Sequence, residues 1–246
     1  MHGLGTLINV AAILICGTIG LFIKKGLNQK IIDSVMRAIG VAVMFVGISG
    51  ALTGLLYVKP DGSLETQGAM MLIISLILGT FLGELLKIED GLENIGNKLK
   101  DKVKSKDGGN FTEAFVSTTL IFCVGAMAIV GSLNDGLRGD YSMLAAKSVL
   151  DGIIALITAS TMGVGALFSA IPVLIYQGAI TLLAEFISPI LSEQLISNLS
   201  YIGSALIFGI GVNQVFGKKI KTGNMLPALL IPIIYELFTK LILPLF

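Results

Sequence analysis

LGTLINVAAILICGTIGLFI, residues 4–23, runs for twenty residues without a charged side chain. A bilayer core of about 30 Å is crossed by roughly 20 mostly apolar residues in a helix, so this stretch is long enough to span a membrane. Asn9 lies inside it, and no small-residue cleavage site followed by a soluble domain is present, which argues against a removable signal peptide. Windows of the same kind recur at about 31–58, 67–87, 111–133, 143–168, 171–190, 199–216 and 225–246. The expected fold class is therefore an all-α, polytopic membrane protein with about eight transmembrane helices.

Composition agrees with that reading. The 246 residues are 54% hydrophobic and 13% charged, with a mean hydropathy of +0.89, whereas a soluble domain carries about 25% charged residues. A net charge of +1 leaves no basic field for nucleic-acid phosphates. Cys16 and Cys123 each lie in an apolar stretch with no CxxC spacing, so both read as packing residues. The single histidine is His2 at the terminus, which removes His-based acid–base chemistry, HExxH zinc sites and a Ser-His-Asp triad. No Walker sequence or dinucleotide fingerprint is present. These absences point away from an enzyme, from a resident cofactor and from ATP-driven transport.

Lysine and arginine fix the expected orientation, because positive loops stay cytoplasmic. Thirteen of them (Lys24, Lys25, Lys30, Arg37, Lys87, Lys98, Lys100, Lys102, Lys104, Lys106, Lys218, Lys219 and Lys221) fall in alternate loops, while the opposite side has Lys59, Arg138 and Lys147, with Lys240 near that same face. Eight spans with both termini extracytoplasmic account for this bias. Between spans three and four, Ile88, Leu92, Ile95, Leu99 and Val103 recur every three or four residues, the pattern of an amphipathic helix. A cytoplasmic linker lying on the membrane, its lysines near anionic headgroups, is the simplest reading.

The chain also resembles itself at an offset of about 110 residues. Cys16-Gly17 answers to Cys123-Val124-Gly125, Ser34-Val35-Met36 to Ser148-Val149-Leu150, Gly50-Ala51-Leu52 to Gly165-Ala166-Leu167, and Gln67-Gly68-Ala69 to Gln177-Gly178-Ala179. A unit of three spans enters the bilayer in opposite senses in its two copies, which makes an inverted-topology repeat of the kind common in secondary transporters. The expected segments are residues 1–87 (first repeat), 88–110 (linker helix), 111–190 (inverted second repeat) and 191–246 (an appended pair of spans).

An ionisable group inside a span is costly and is by default a functional hypothesis. Asp151, two turns into the fifth span, is the clearest case. Lys147 is four residues earlier, so a simple ion pair is an equal alternative. Thr158, Ser160 and Thr161 follow, then Gly163, Gly165, Ser169 and Pro172. Hydroxyl and exposed carbonyl oxygens suit a small cation that has shed its water, although small residues also simply let helices approach. Gln67 and Gln177 hold matching places in the two copies and could offer amide oxygens symmetrically. Asn213 and Asn224 join the candidate set, with Asn224 open to a second reading as a helix N-cap ahead of Pro227. Glu84 and Glu185 fall near span ends within reach of headgroup water. Glu236 and Lys240 are four apart and should neutralise each other.

Leu150-Asp151-Gly152, the run Ala159-Ser160-Thr161-Met162-Gly163-Val164-Gly165, Gln177-Gly178-Ala179-Ile180-Thr181-Leu182-Leu183-Ala184 and Asn224-Met225-Leu226-Pro227-Ala228-Leu229 together resemble the YqgA/YdfK-like bacterial inner-membrane proteins, a domain of unknown function. The resemblance covers nearly the whole chain and implies a plasma-membrane protein, with sodium conduction or transport the foremost expectation for the group. The sequence reading is thus a channel or secondary transporter for a small monovalent cation, its path running between the repeats, with Asp151, Thr158, Ser160, Thr161, Gln67, Gln177, Asn213 and Asn224 as candidate ligands. Its glycine-rich spans favour a homodimer. A non-transporting scaffold or regulatory subunit is one alternative, and a transporter of a small organic solute is another.

Overall fold

The computed structural model describes residues 2–24, 28–103, 110–123, 125–189 and 191–241. Lys25, Lys104, Lys106, Val124, Ile190 and residues 242–246, all used in the sequence reading, lie outside these. The described chain is almost entirely helical: α1 Leu4–Lys24, α2 Gln29–Leu55, α3 Ala69–Leu86, α4 Ile88–Val103, α5 Asn110–Cys123, α6 Ala126–Arg138, α7 Ser142–Met162, α8 Gly165–Phe168, α9 Ala170–Leu182, α10 Ala184–Ile187, α11 Glu193–Phe216, a 3-10 helix Thr222–Leu229, and α12 Leu230–Leu241. Seven stretches are long and apolar enough to cross a bilayer, and the pair formed by α5 and α6 makes an eighth if it is one bent span. The all-α, polytopic class is as expected.

Five spans differ from their expected form. The fifth ends at Met162, where Gly163 at φ 101° breaks the helix, so residues 165–168 belong to the sixth span, Gly165–Leu182. The others are the second, fourth and eighth. The fourth is not one helix: α5 and α6 meet at an angle of 59°. Gly125, the N-cap of α6, is extended and has no side chain to hold the break closed. The second span ends at Leu55, and 56–58 form a strand instead. Strand β1, Leu56–Val58, pairs antiparallel with β2, Leu64–Thr66, in the register Leu56↔Thr66 and Val58↔Leu64. Pro60 stops the helix pattern, and Gly62, at φ 81°, supplies the left-handed turn residue. The eighth span opens in 3-10 geometry, with Lys221 rather than Asn224 at its N-cap.

Packing divides the chain into two compact units. One contains residues 1–38 and 91–189, the other 39–90 and 190–246. In the first, α1 and α7 lie side by side and parallel: Gly5 meets Leu144, Cys16 meets Gly152, and a Cβ on Gly20 would overlap the Leu156 carbonyl oxygen. The seam on α1 is the small-residue stripe Gly5, Asn9, Ala12, Cys16 and Gly20, spaced three or four apart, and such stripes bring membrane helices to backbone contact. Short turns carry the chain from α6 into α7 at residues 139–141, and α6 runs parallel to α9, with Ser132 at Thr181 and Gly136 at Ala184. Asp135 of α6 accepts from the Gly3 and Gly5 N–H groups at the start of α1, at 3.1 and 2.9 Å. His2 is held there too, its ring nitrogen 3.1 Å from the Asp135 carbonyl oxygen.

In the second unit, α2 and α11 cross antiparallel through Gly40, Gly47 and Gly54 on one side and Gly211, Ser204 and Tyr201 on the other. Helix α3 lies on the 3-10 helix with Gly79 against Ala228 and Gly83 against Asn224, where an added Cβ would overlap backbone atoms. The amphipathic helix α4 forms over the expected residues as far as Val103, and residues 104–109 of the expected linker lie outside the described chain.

The two kinds of glycine should respond oppositely to substitution. Gly83→Ala forces α3 off the Asn224 backbone and should cost about 1–3 kcal/mol. Gly91→Ala, in open space on α4, should leave stability unchanged or raise it by about 0.5–1 kcal/mol. Thermal unfolding of the two variants in detergent checks the contrast.

Candidate functional site

Inside hydrocarbon a polar side chain is held only by partners the protein itself supplies. The first unit brings four such side chains together. Asn9 of α1 sits within the close α1–α7 seam and is fully buried. Its Nδ2 group donates to Asp151 Oδ2 at 2.9 Å and to Gln177 Oε1 at 3.2 Å. Lys147 Nζ pairs with the same Asp151 oxygen and lies 5.6 Å from the centre of the Phe122 ring, a distance at which a cation is attracted to the ring face. Asp151 and Lys147 are only 4% and 6% exposed, and Gln177 is inaccessible. The predicted Lys147–Asp151 pair therefore forms, but as one edge of a four-residue cluster drawn from α1, α7 and α9.

Helical spacing explains why these residues meet. Lys147 and Asp151 are one turn apart on α7 and share a face. Because α1 and α7 touch at backbone distance, Asn9 has nowhere to place its amide except against that face. Gln177 stands one turn before Thr181, whose hydroxyl donates to the Ser132 carbonyl of α6 at 3.2 Å.

The cluster is not fully satisfied. Asn9 Oδ1 and Gln177 Nε2 are buried with no hydrogen-bond partner among the described residues, and the same holds for the hydroxyls of Thr6, Thr118, Thr119 and Ser132 in the same unit. A buried polar atom left unpaired costs about 1–3 kcal/mol, and most buried groups in proteins do have partners. Of these six atoms, Asn9 Oδ1 and Gln177 Nε2 belong to the cluster itself. An apolar core of Ile13, Phe122, Ala155, Ala170 and Val173 lies in the same unit.

The other sequence candidates are placed differently. Thr158, Ser160 and Thr161 lie further along α7. Ser160 donates to the Ile157 carbonyl at 2.8 Å, and Thr161 to those of Ile157 and Thr158 at 3.0 and 3.2 Å, the usual way a hydroxyl settles inside a helix. Their oxygens keep lone pairs as acceptors, and Thr158 is buried beside them. Gln67 belongs to the second unit, where it is exposed beyond the hairpin. Asn213 closes a loop, accepting from the Lys219 and Ile220 N–H groups and donating to the Ile220 carbonyl at 2.7 Å. Asn224 accepts from the Glu89 N–H at 2.7 Å. Glu89 in turn takes the Gly223 N–H at 3.0 Å and pairs with Lys218 at 2.7 Å. The second unit thus uses both asparagines as loop fasteners. Glu84 reaches Lys221 at 3.1 Å and Glu236 reaches Lys240 at 3.0 Å, as the spacing of Glu236 and Lys240 predicts. Among the described residues no group of three His, Cys, Asp or Glu side chains could hold a metal by itself.

Asn9 and Lys147 are the members of the cluster that the sequence reading left out of the ligand set. A polar residue standing in a stripe of glycine, alanine and cysteine was the available signal for Asn9. Removing one partner of a buried pair is far more harmful than removing both. Lys147→Met alone should therefore lower stability by about 3–5 kcal/mol, and Lys147→Met with Asp151→Asn should recover most of the loss, as measured by thermal unfolding of both proteins.

Comparison with known proteins agrees with the membrane architecture. The family described as "Protein of unknown function (DUF554)" matches residues 4–237. The chain is 33% identical over 228 residues to "Uncharacterized membrane protein YdfK" of Bacillus subtilis (strain 168), covering 93% of each chain. It is 29% identical over 232 residues to "Uncharacterized protein YqgA" of Escherichia coli (strain K12), covering 93% of this chain and 94% of the other. No solved structure matches. With a match running almost from end to end, the chain belongs to the DUF554 family.

Proposed function

We propose that this membrane protein moves a small monovalent cation, sodium foremost, as a channel or secondary transporter, with the Asn9–Lys147–Asp151–Gln177 cluster as its site. The observation that carries the proposal is a carboxylate, Asp151, buried at 4% exposure in a span beside an unpartnered amide oxygen, Asn9 Oδ1. Oxygen atoms of this kind replace the hydration shell of a hard cation. The hydroxyls of Thr158, Ser160 and Thr161, further along α7, are the remaining sequence candidates on the same helix as Asp151. This reading assigns no chemical step and no resident cofactor.

The break between α5 and α6 supports transport rather than scaffolding, since discontinuous spans are where transporters place their sites. The order of the sequence matches between residues 16–69 and 123–179 supports an inverted pair of three-helix copies, and the charge bias of the loops supports extracytoplasmic termini in a bacterial inner membrane. The homodimer rests on glycine content alone, because the glycine stripes of α1, α2 and α3 pack within the chain. A second reading, a scaffold or regulatory subunit, is favoured by the Lys147–Asp151 pair itself, which neutralises the carboxylate and can serve as glue between helices.

Flux measured on purified protein in liposomes separates the two. Sodium uptake that Asp151→Asn lowers at least about tenfold, the equivalent of 1.4 kcal/mol in the barrier, is the expected result. Absence of flux for sodium, potassium and lithium alike favours the scaffold, and unchanged flux in Asp151→Asn moves the path away from this cluster.

A further inference from the structure

Lys147 Nζ and Asn9 Nδ2 bind the same carboxylate oxygen, Asp151 Oδ2. Asn9 Nδ2 also holds Gln177 Oε1 at 3.2 Å, so oxygens from α7 and α9 converge on one amide of α1. The other end of that amide, Asn9 Oδ1, is buried and has no hydrogen-bond partner among the described residues, and the covalent geometry of the group keeps it near the carboxylate. Asp151 Oδ2, Gln177 Oε1 and Asn9 Oδ1 therefore gather in one place, and the cation that meets the carboxylate there is the ammonium of Lys147.

An ammonium and a monovalent metal ion answer a carboxylate in the same way, as one positive charge among oxygen atoms. Lys147 differs in being tethered one turn away on the same helix. Its stem is flexible and its head is a compact point charge, and the Phe122 ring, 5.6 Å from Nζ, attracts that charge without using the carboxylate. Charge balance sets the consequence. The Lys147–Asp151 pair is neutral, so a metal ion that joins it leaves an uncompensated positive charge in a water-poor interior. Asp151 without the lysine is negative, and a metal ion restores neutrality.

We infer that Lys147 is a tethered competitor for the cation position on Asp151: its ammonium closes the site in this structure, and a monovalent metal ion gains the carboxylate only by displacing it. The inference rests on the cation reading of this cluster and adds what keeps the site shut.

The test uses the full chain in detergent, unfolded thermally while sodium chloride replaces choline chloride at constant ionic strength. Lys147→Met keeps the apolar stem and removes the charge. It should unfold well below wild type in choline, and sodium should raise its unfolding temperature saturably, with a half-saturating concentration at least about tenfold below that of any wild-type response. Lys147→Met combined with Asp151→Asn should not respond. Equal unfolding of Lys147→Met in sodium and choline, or a response at the wild-type concentration, overturns the inference. Because sodium replaces the lysine, Lys147→Met should fold when prepared in sodium, and failure to fold there also counts against it.

Lys147→Arg gives an independent readout. A guanidinium grips a carboxylate through two bonds and is displaced less readily, so sodium uptake into liposomes should fall at least about tenfold while unfolding in choline stays near that of wild type. Unchanged uptake overturns the inference. Sodium-specific stabilisation of Lys147→Met in a protein that passes no sodium, potassium or lithium sustains the closed cation site and overturns the transport reading. Sodium flux that Asp151→Asn abolishes, with no tighter sodium response in Lys147→Met, does the reverse.

Discussion

No water is at hand inside hydrocarbon to answer a polar group, so Asn9, Lys147, Asp151 and Gln177 can be buried only by answering one another. That constraint orders the first compact unit. It demands that α1 and α7 touch closely enough for an amide on one to reach a carboxylate on the other, and the Gly5, Ala12, Cys16 and Gly20 stripe provides the approach. It demands that α9 be held in register, which the contacts of α6 with Thr181 and Ala184 achieve. Asp135 then fastens the start of α1 through its first backbone N–H groups, adding charge-assisted bonds of about 1.5–3 kcal/mol each. What these interactions leave unpaired, chiefly Asn9 Oδ1 and Gln177 Nε2, defines the chemistry the unit has to offer.

The second unit solves a different problem with the same residue types. Asn213, Asn224 and Glu89 are used up on backbone groups in the segment 213–224. Glycines at 79 and 83 bring α3 against the 3-10 helix. An asparagine bonded to two N–H groups and a carbonyl is a fastening, whereas one with a buried, unanswered oxygen is a candidate binding group. Residue type alone does not separate Asn213 from Asn9, but the partner inventory does.

Most of the helical architecture was legible from hydropathy, because twenty apolar residues in a row have few fates besides crossing a bilayer. Periodicity also placed α4, and i,i+4 spacing placed the Lys147–Asp151 and Glu236–Lys240 pairs. The broken fourth span was not legible. The apolar run is continuous across Cys123 and Gly125, and a single glycine in a helix pattern costs only about 1 kcal/mol, too weak a signal to announce a 59° bend. The hairpin at 56–66 was masked by the apolar residues Leu56, Tyr57 and Val58, which a hydropathy window adds to the preceding helix. In the site, Asp151 stood out because a charge in a span is rare. Asn9 did not, because a neutral amide shifts hydropathy little and its partner is 142 residues away.

The most direct test of the account is a structure determined in sodium and repeated with thallium(I) in its place, since thallium's anomalous scattering marks monovalent cation sites. The account predicts a peak beside Asp151 within reach of Asn9 Oδ1. Thallium bound elsewhere in the protein, with the Asn9–Lys147–Asp151–Gln177 cluster unoccupied in both structures, would contradict it.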